Sequence, residues 1–449
     1  MKNYLNLLEG PILPSLSKLA LPIMATSLIQ MAYNLTDMIW IGGLGANAVA
    51  AVGAAGMFMW FSNGLVTLAK MGGQVKVAHA LGARDYNKAR LYAQCAIQMA
   101  IVFALVFGVI SVAFAQQMIG FFKLNGASVI LDAQHYLMIT CGLVIFPFLN
   151  QVFTGILTAM GNSKTSFIAT AIGLAINIVL DPLLIFGFQG LPAMGVIGAA
   201  IATVLAQMIV FLLFLYAVYQ DTLVFCDIHI FSRFHKKEMN EIFKIGLPSA
   251  LQNMLFSSIS MVIARFIAGW GDAAVAVQKV GSQIESISWM TAEGYAAALN
   301  SFVAQNHGAN NEARIKQGYK ISMRVMLSWG LFCNLLLVLC PQLIFQIFIS
   351  EADVIPMGVD YLRILGFSQI FVCMEITTAG AFSGLGRTLP PSIVSVTLTA
   401  ARIPLALILG TLYGLNGIWW AITISSIFKG IVLFAWFLID AKKPHFLTL

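Results

Sequence analysis

The sequence predicts an all-α polytopic membrane protein with twelve transmembrane helices in two pseudo-symmetric six-helix lobes. Three observations predict it. Of 449 residues, 59% are hydrophobic and only 10% charged, too little charge to cover the surface of a soluble protein of this length. The mean hydropathy is +0.88. The chain also repeats itself at a constant offset.

Each bilayer crossing needs about 20 apolar residues. Twelve runs meet that length, at 15–42, 47–70, 90–116, 129–158, 164–187, 194–218, 242–269, 274–303, 317–347, 357–383, 391–411 and 415–438. The longest polar stretch, 220–241, is too short to fold alone and reads as a linker. The predicted organisation is an N-terminal lobe over 1–219, a cytoplasmic linker over 220–241 and a C-terminal lobe over 242–449. No room remains for a large soluble catalytic domain.

The first run contains Leu21-Pro22 and the seventh Leu247-Pro248, a shift of 226. At that shift Gly45 falls on Gly271, Ala48-Val49-Ala50 on Ala274-Val275-Ala276, and Gly82-Ala83 on Gly308-Ala309. A gap-free offset over about 60 residues marks two similar halves. Parallel repeats of this kind are frequent in secondary transporters, whose sites lie at or within the repeats.

An even number of spans puts both termini on one side. Of the 25 Lys and Arg residues, only Lys123, Arg265, Lys279, Arg363 and Arg402 fall opposite the termini, so the positive-inside rule makes both termini cytoplasmic. The net charge of +7 is explained by these loops. Nucleic acid is not an expected partner, because no basic stripe interleaves with exposed aromatics. The six cysteines show no CxxC spacing and read as free thiols. Among the histidines there is no HExxH, and no GxSxG elbow or phosphate-binding loop appears, so no enzyme and no cofactor is expected.

Ionisable residues within membrane helices are costly and are candidate functional groups. The first half has two, Asp37 in helix 1 and Asp181 in helix 5, five and six residues before Gly42 and Gly187. Their similar depth suggests that they form one site. Neither has a Lys or Arg nearby in its own helix, and burial disfavours the charged form of any carboxyl without a cation. Such groups suit the loading and release of a proton. Asn177 precedes Asp181 by four residues; Tyr33 and Gln30 precede Asp37 by four and seven, spacings that stack side chains on one helix face. Pro182 leaves a carbonyl one turn earlier without its helical partner. Pro22 either sits in the first turn of helix 1, where proline is harmless, or lies inside it, where it eases bending.

At the 226 shift, Asp37, Gln30 and Tyr33 fall on Ile263, Phe256 and Ile259. The acids therefore belong to one half and are not a requirement of the fold. The second half has Glu285, Glu293 and Glu375, with Arg402 and Lys429 available to pair with them. Glu375, followed by Thr377 and Thr378, is a possible secondary acid. The methionine stripe Met24, Met31, Met38 reads first as core.

The stretch "AAVGAAGMFMWFSNGLVTLAKMGGQVKVAHALGARDYNKAR", echoed by "SFVAQNHGANNEARIKQGY", resembles the multidrug and toxic compound extrusion (MATE) family over nearly the whole chain. The helix 1 aspartate together with "NIVLDPLLIFG" resembles the damage-inducible (DinF-type) branch of prokaryotic members. The resemblance implies two lobes around a central cleft, alternating access, and export of cationic or lipophilic compounds against entering H⁺ or Na⁺. It places Asp37, Asn177 and Asp181 at the cation or proton site, and Gln30, Tyr33, Asn150 and Thr203 on the cavity wall. Helix 7 lacks the acid that relatives with a C-lobe sodium site carry. The expectation is a proton-coupled drug exporter of the inner membrane, without a sodium site of that C-lobe kind, acting as a monomer in the lipid bilayer. Sodium coupling, a lipid-linked-sugar flippase of the same superfamily and a channel are the alternatives. The cleft acids oppose a flippase, which needs a cationic cleft for diphosphate, and their one-sidedness opposes a channel.

Overall fold

The structure, a computed structural model, describes residues 4–122, 126–187, 192–226, 228–230, 232–348 and 354–443. Lys123 lies outside the described residues. Among them all regular structure is helical. The first half holds α1 (Ile12–Gly42), α2 (Ala46–Gly82), α3 (Tyr86–Ala113), α4 (Ala115–Gly120), α5 (Ala127–Gly142), α6 (Ile145–Ala159), α7 (Ser163–Phe186) and α8 (Gly195–Tyr219). The second holds α9 (Lys236–Ala268), α10 (Asp272–Gly308), α11 (Glu312–Leu339), α12 (Pro341–Gln346), α13 (Ile355–Gly366), α14 (Gln369–Gly384), α15 (Leu389–Ala400) and α16 (Arg402–Ala441).

The repeat is carried by the backbone further than by the sequence. α2 and α10 are both 37 residues long, α3 and α11 both 28, α4 and α12 both 6, each pair offset by 226. Gly45 and Gly271, at φ 101° and 100°, start α2 and α10; this left-handed region is open to glycine and strained for other residues. The turn after each helix is also the same. Arg84 and Asn310 take φ 58° and 55°. The next residues cap the following helices, Asp85 accepting from Lys88 N–H and Asn311 from Arg314 N–H at 3.0 and 3.1 Å. A cap satisfies one of the four free N–H groups at a helix start. Asp85 therefore has its carboxyl held below the ordinary aspartate range, chiefly by that backbone hydrogen bond.

Eight helical stretches are long and apolar enough to cross a membrane, ten if each bent pair is one span. The bent pairs, α5 with α6 (43°) and α13 with α14 (45°), are the fourth and tenth runs of the sequence. The stretch Leu389–Ala441 counts once among the eight, yet it contains two runs, separated where Gly414 at φ 64° breaks the helix. α10 is the remaining run; Lys279, Glu285 and Glu293 interrupt its hydropathy. Twelve runs are thus accounted for.

α1 starts at Ile12, so Pro22 lies in its interior rather than its first turn. Two compact units divide the chain: Met1–Leu5 with Ala25–Ala250, and Asn6–Met24 with Leu251–Leu449. The unit boundaries follow residues 24 and 250, equivalent positions at the 226 shift, two residues beyond Pro22 and Pro248. The sequence alone puts the join at 220–241, and that stretch lies wholly in the first unit. There it is fastened. Asp221 Oδ2 accepts the backbone N–H groups of Leu223, Val224 and Phe225 at 3.2, 2.8 and 2.8 Å. Arg90 donates to the Leu223 carbonyl at 3.2 Å, and Gln98 to that of Ile230 at 2.9 Å. Glu241 takes Lys76 at 2.7 Å and the Tyr92 hydroxyl at 2.6 Å. The start of α9 then packs on α2 with no side chain between. A Cβ on Gly246 would stand 2.0 Å from the Leu68 carbonyl oxygen, and one on Gly72 2.2 Å from that of Ile242.

Candidate functional site

The first unit brings residues of four helices to one point. α1 ends at Gly42 and α7 at Phe186, and there the Trp40 and Phe186 rings meet edge to face at 6.3 Å. One turn down α1 from Trp40 is Asp37; just over one turn down α7 from Phe186 is Asp181. α8 joins them through glycine, since a Cβ on Gly198 would stand 2.3 Å from the Leu184 carbonyl oxygen. That close approach places Thr203, five residues on, beside α7. α5 supplies Tyr136.

Asp181 is fully buried and Asn177 nearly so. Asn177 Nδ2–H donates to Asp181 Oδ1 at 2.7 Å, the four-residue spacing acting as the sequence suggests. The carboxyls of Asp37 and Asp181 lie within hydrogen-bonding reach of each other. A carboxylate only accepts hydrogen bonds, so such a bond needs a proton on one of the two. Asp37 Oδ1 and Asp181 Oδ2 are buried and take no hydrogen bond. Tyr33 and Tyr136 lie beside both acids, and both reach Thr203. The donor set is entirely oxygen plus one amide N–H. Among the described residues no group of three or more His, Cys, Asp or Glu side chains suits a metal ion.

Of the sequence-predicted residues, Asp37, Asn177, Asp181, Tyr33 and Thr203 are brought together. Gln30 is exposed on α1. Asn150 is buried and donates to the carbonyl and side-chain oxygen of Gln207 at 2.9 and 3.0 Å. Tyr136 was missed by the sequence reading. Its signal is a tyrosine inside an apolar run, whose hydroxyl must find a partner when buried.

The second unit arranges its acids differently. Glu375 is ion-paired with Lys429 at 3.0 Å. Glu285 accepts from the Tyr361 hydroxyl at 3.3 Å, and Tyr361 is in turn within 3.5 Å of the Gln278 amide, whose oxygen takes the Trp419 N–H at 2.9 Å. Glu375 is thus a partnered acid, unlike the pair in the first unit.

With this geometry in place, comparison with known proteins is direct. The MatE family matches residues 22–183 and 248–408, more than two thirds of the chain, and both matches begin on the repeat-related prolines. The chain belongs to the MatE family. MatE proteins are transporters rather than enzymes. The chain is 29% identical to the probable multidrug resistance protein NorM of Thermotoga maritima, covering 97% of this chain and 95% of that one. It is 24% identical to the multidrug export protein MepA of Staphylococcus aureus, covering 93% and 92%. A solved MATE in complex with MaL6 superposes with a TM-score of 0.91 at 24% identity, with 98% of each chain covered. An outward-facing multidrug resistance MATE family transporter superposes at 0.90, also at 24% identity and 98% coverage of each. These likenesses establish the fold, twelve helices in two lobes, as the sequence predicts.

Proposed function

We propose that this MatE protein is a multidrug exporter of the inner membrane that moves lipophilic or cationic compounds outward in exchange for H⁺. Membership of the family and the names of the NorM and MepA relatives support the export of drugs. One observation carries the choice of ion: the carboxyls of Asp37 and Asp181 lie within hydrogen-bonding reach of each other, Asn177 donates to Asp181, and among the described residues no Lys or Arg stands beside them. A proton neutralises such a pair and converts an acceptor to a donor. Loading it rearranges the bonds to Asn177, and release resets them. Pro22, interior to α1, frees a backbone carbonyl and lowers the resistance of that helix to bending, so α1 is the element that responds.

The same oxygens could hold Na⁺, which is the second reading. Everted vesicles loaded with an ethidium-like dye separate the two. Under the proposal, ΔpH drives dye transport without Na⁺, and a Na⁺ gradient alone does not. Transport that requires the Na⁺ gradient overturns it. Both termini are cytoplasmic in this reading, the transporter works as a monomer, and no cofactor takes part.

A further inference from the structure

Arg402 is the unusual charge of the second unit. It is 8% exposed and sits where α16 begins, inside a membrane-crossing stretch. Its Nε and Nη2 donate to the hydroxyls of Ser425 and Ser426 at 3.1 and 3.0 Å. Those partners are neutral. Glu375 is taken by Lys429 at 3.0 Å, and Glu285 is taken by Tyr361. Both acids act on the guanidinium only through space. Among the described residues no carboxylate lies within ion-pair distance of Arg402, and its Nη1 donates to none of them.

A buried membrane cation is normally paired, so this one calls for a negative partner. An aromatic surface lies next to it. The Phe256 ring is 44% exposed and has the Arg402 guanidinium 5.8 Å and the Lys429 ammonium 6.0 Å from its centroid. The site therefore offers three things: a planar fork that matches a carboxylate, an accessible ring for stacking, and a second cation nearby.

We propose that Phe256 and Arg402 form a binding site for a flat aromatic carboxylate, the ring on Phe256 and the carboxylate on the free edge of Arg402. This widens the cargo to compounds that carry an anionic group. It rests on the exporter reading only in treating that ligand as cargo.

The test is direct binding to the purified full-length protein in detergent, by isothermal titration calorimetry, with 1-naphthoate and its neutral analogue 1-naphthamide. Hydrogen bonds to charged groups exceed neutral ones by enough to make naphthoate bind about tenfold tighter or more. Arg402→Met abolishes that preference and leaves naphthamide binding intact; Arg402→Lys keeps part of it. Phe256→Leu weakens both ligands alike. Equal affinity of wild type for the two ligands overturns the proposal, as does a preference that survives Arg402→Met. If Arg402→Met does not fold, the ratio of the two affinities in Arg402→Lys and Phe256→Leu decides in the same way. ΔpH-driven dye transport by wild type is measured alongside. Its failure would remove the proton reading and leave the calorimetric result standing.

Discussion

The two units share a backbone and differ in how they treat charge. In the first, Asp37 and Asp181 face each other with no cation among the described residues beside them, attended by Asn177, two tyrosines and Thr203. In the second, Glu375 is closed by Lys429, Glu285 is held by Tyr361, and the spare charge is a cation, Arg402. The helices match in length and offset over α2 to α4 and α10 to α12, and of the residues just named only Glu285 lies on one of these. Fold and chemistry are therefore separable here. The helix lengths and turn conformations repeat because hydrophobic span and glycine turns set them. The membrane charges do not repeat: the first unit brings two acids together, while the second pairs its acids with Lys429 and Tyr361.

The sharpest way to break this contrast is to remove one acid on each side. Asp37→Asn and Asp181→Asn should each reduce ΔpH-driven dye transport to the level of vesicles without the protein, at equal membrane expression. Glu375→Gln should leave clear ΔpH-driven transport. If Glu375→Gln is as inactive as Asp37→Asn, the asymmetry of the two units is refuted.

Stability should show the reverse order. Lys429→Met strands Glu375 in a buried site, and breaking a buried pair costs about 3–5 kcal/mol. The double variant Glu375→Gln with Lys429→Met should recover most of that, seen as the return of the thermal unfolding midpoint in detergent. Asp37→Asn should not lower that midpoint, since no cation is left behind.

A smaller effect tests the packing of α9 on α2. Gly246→Ala drives a methyl against the Leu68 carbonyl, where a Cβ has 2.0 Å, and overpacking of this kind costs about 1–3 kcal/mol. Ala20→Gly, at the repeat-equivalent position of α1, removes only a methyl and should cost less. Equal losses in thermal unfolding would mean that the first unit does not depend on that glycine.

The smallest effect concerns what the halves have in common. Asp85→Ala and Asn311→Ala each remove a helix cap, at a cost of about 1 kcal/mol, and should lower the unfolding midpoint alike. They should differ in acid. The Asp85 carboxyl is held below its ordinary range in the folded chain, so its contribution is present above the ordinary aspartate pKa and is lost as pH falls through the lower folded value. Wild type minus Asp85→Ala should therefore shrink in acid, while wild type minus Asn311→Ala stays constant.

Much of this was legible without a structure. Twelve apolar runs, the 226 offset and the one-sided pair of aspartates follow from composition and spacing, because a membrane span and a helix face are local properties of the chain. Asn177 with Asp181 is likewise a four-residue contact within one helix. What only the tertiary structure decided are the contacts between helices. Tyr136 and Thr203 join Asp37 and Asp181 from other helices, while Asn150 turns to Gln207 instead. Glu375 finds Lys429, 54 residues away in the chain, and the polar stretch 220–241 binds to α3 rather than standing free. The exchange of units after residues 24 and 250 has the same origin. Periodicity reports which face of a helix is apolar, but side chains from separate helices meet only when packing chooses their neighbours, and no local pattern records that choice.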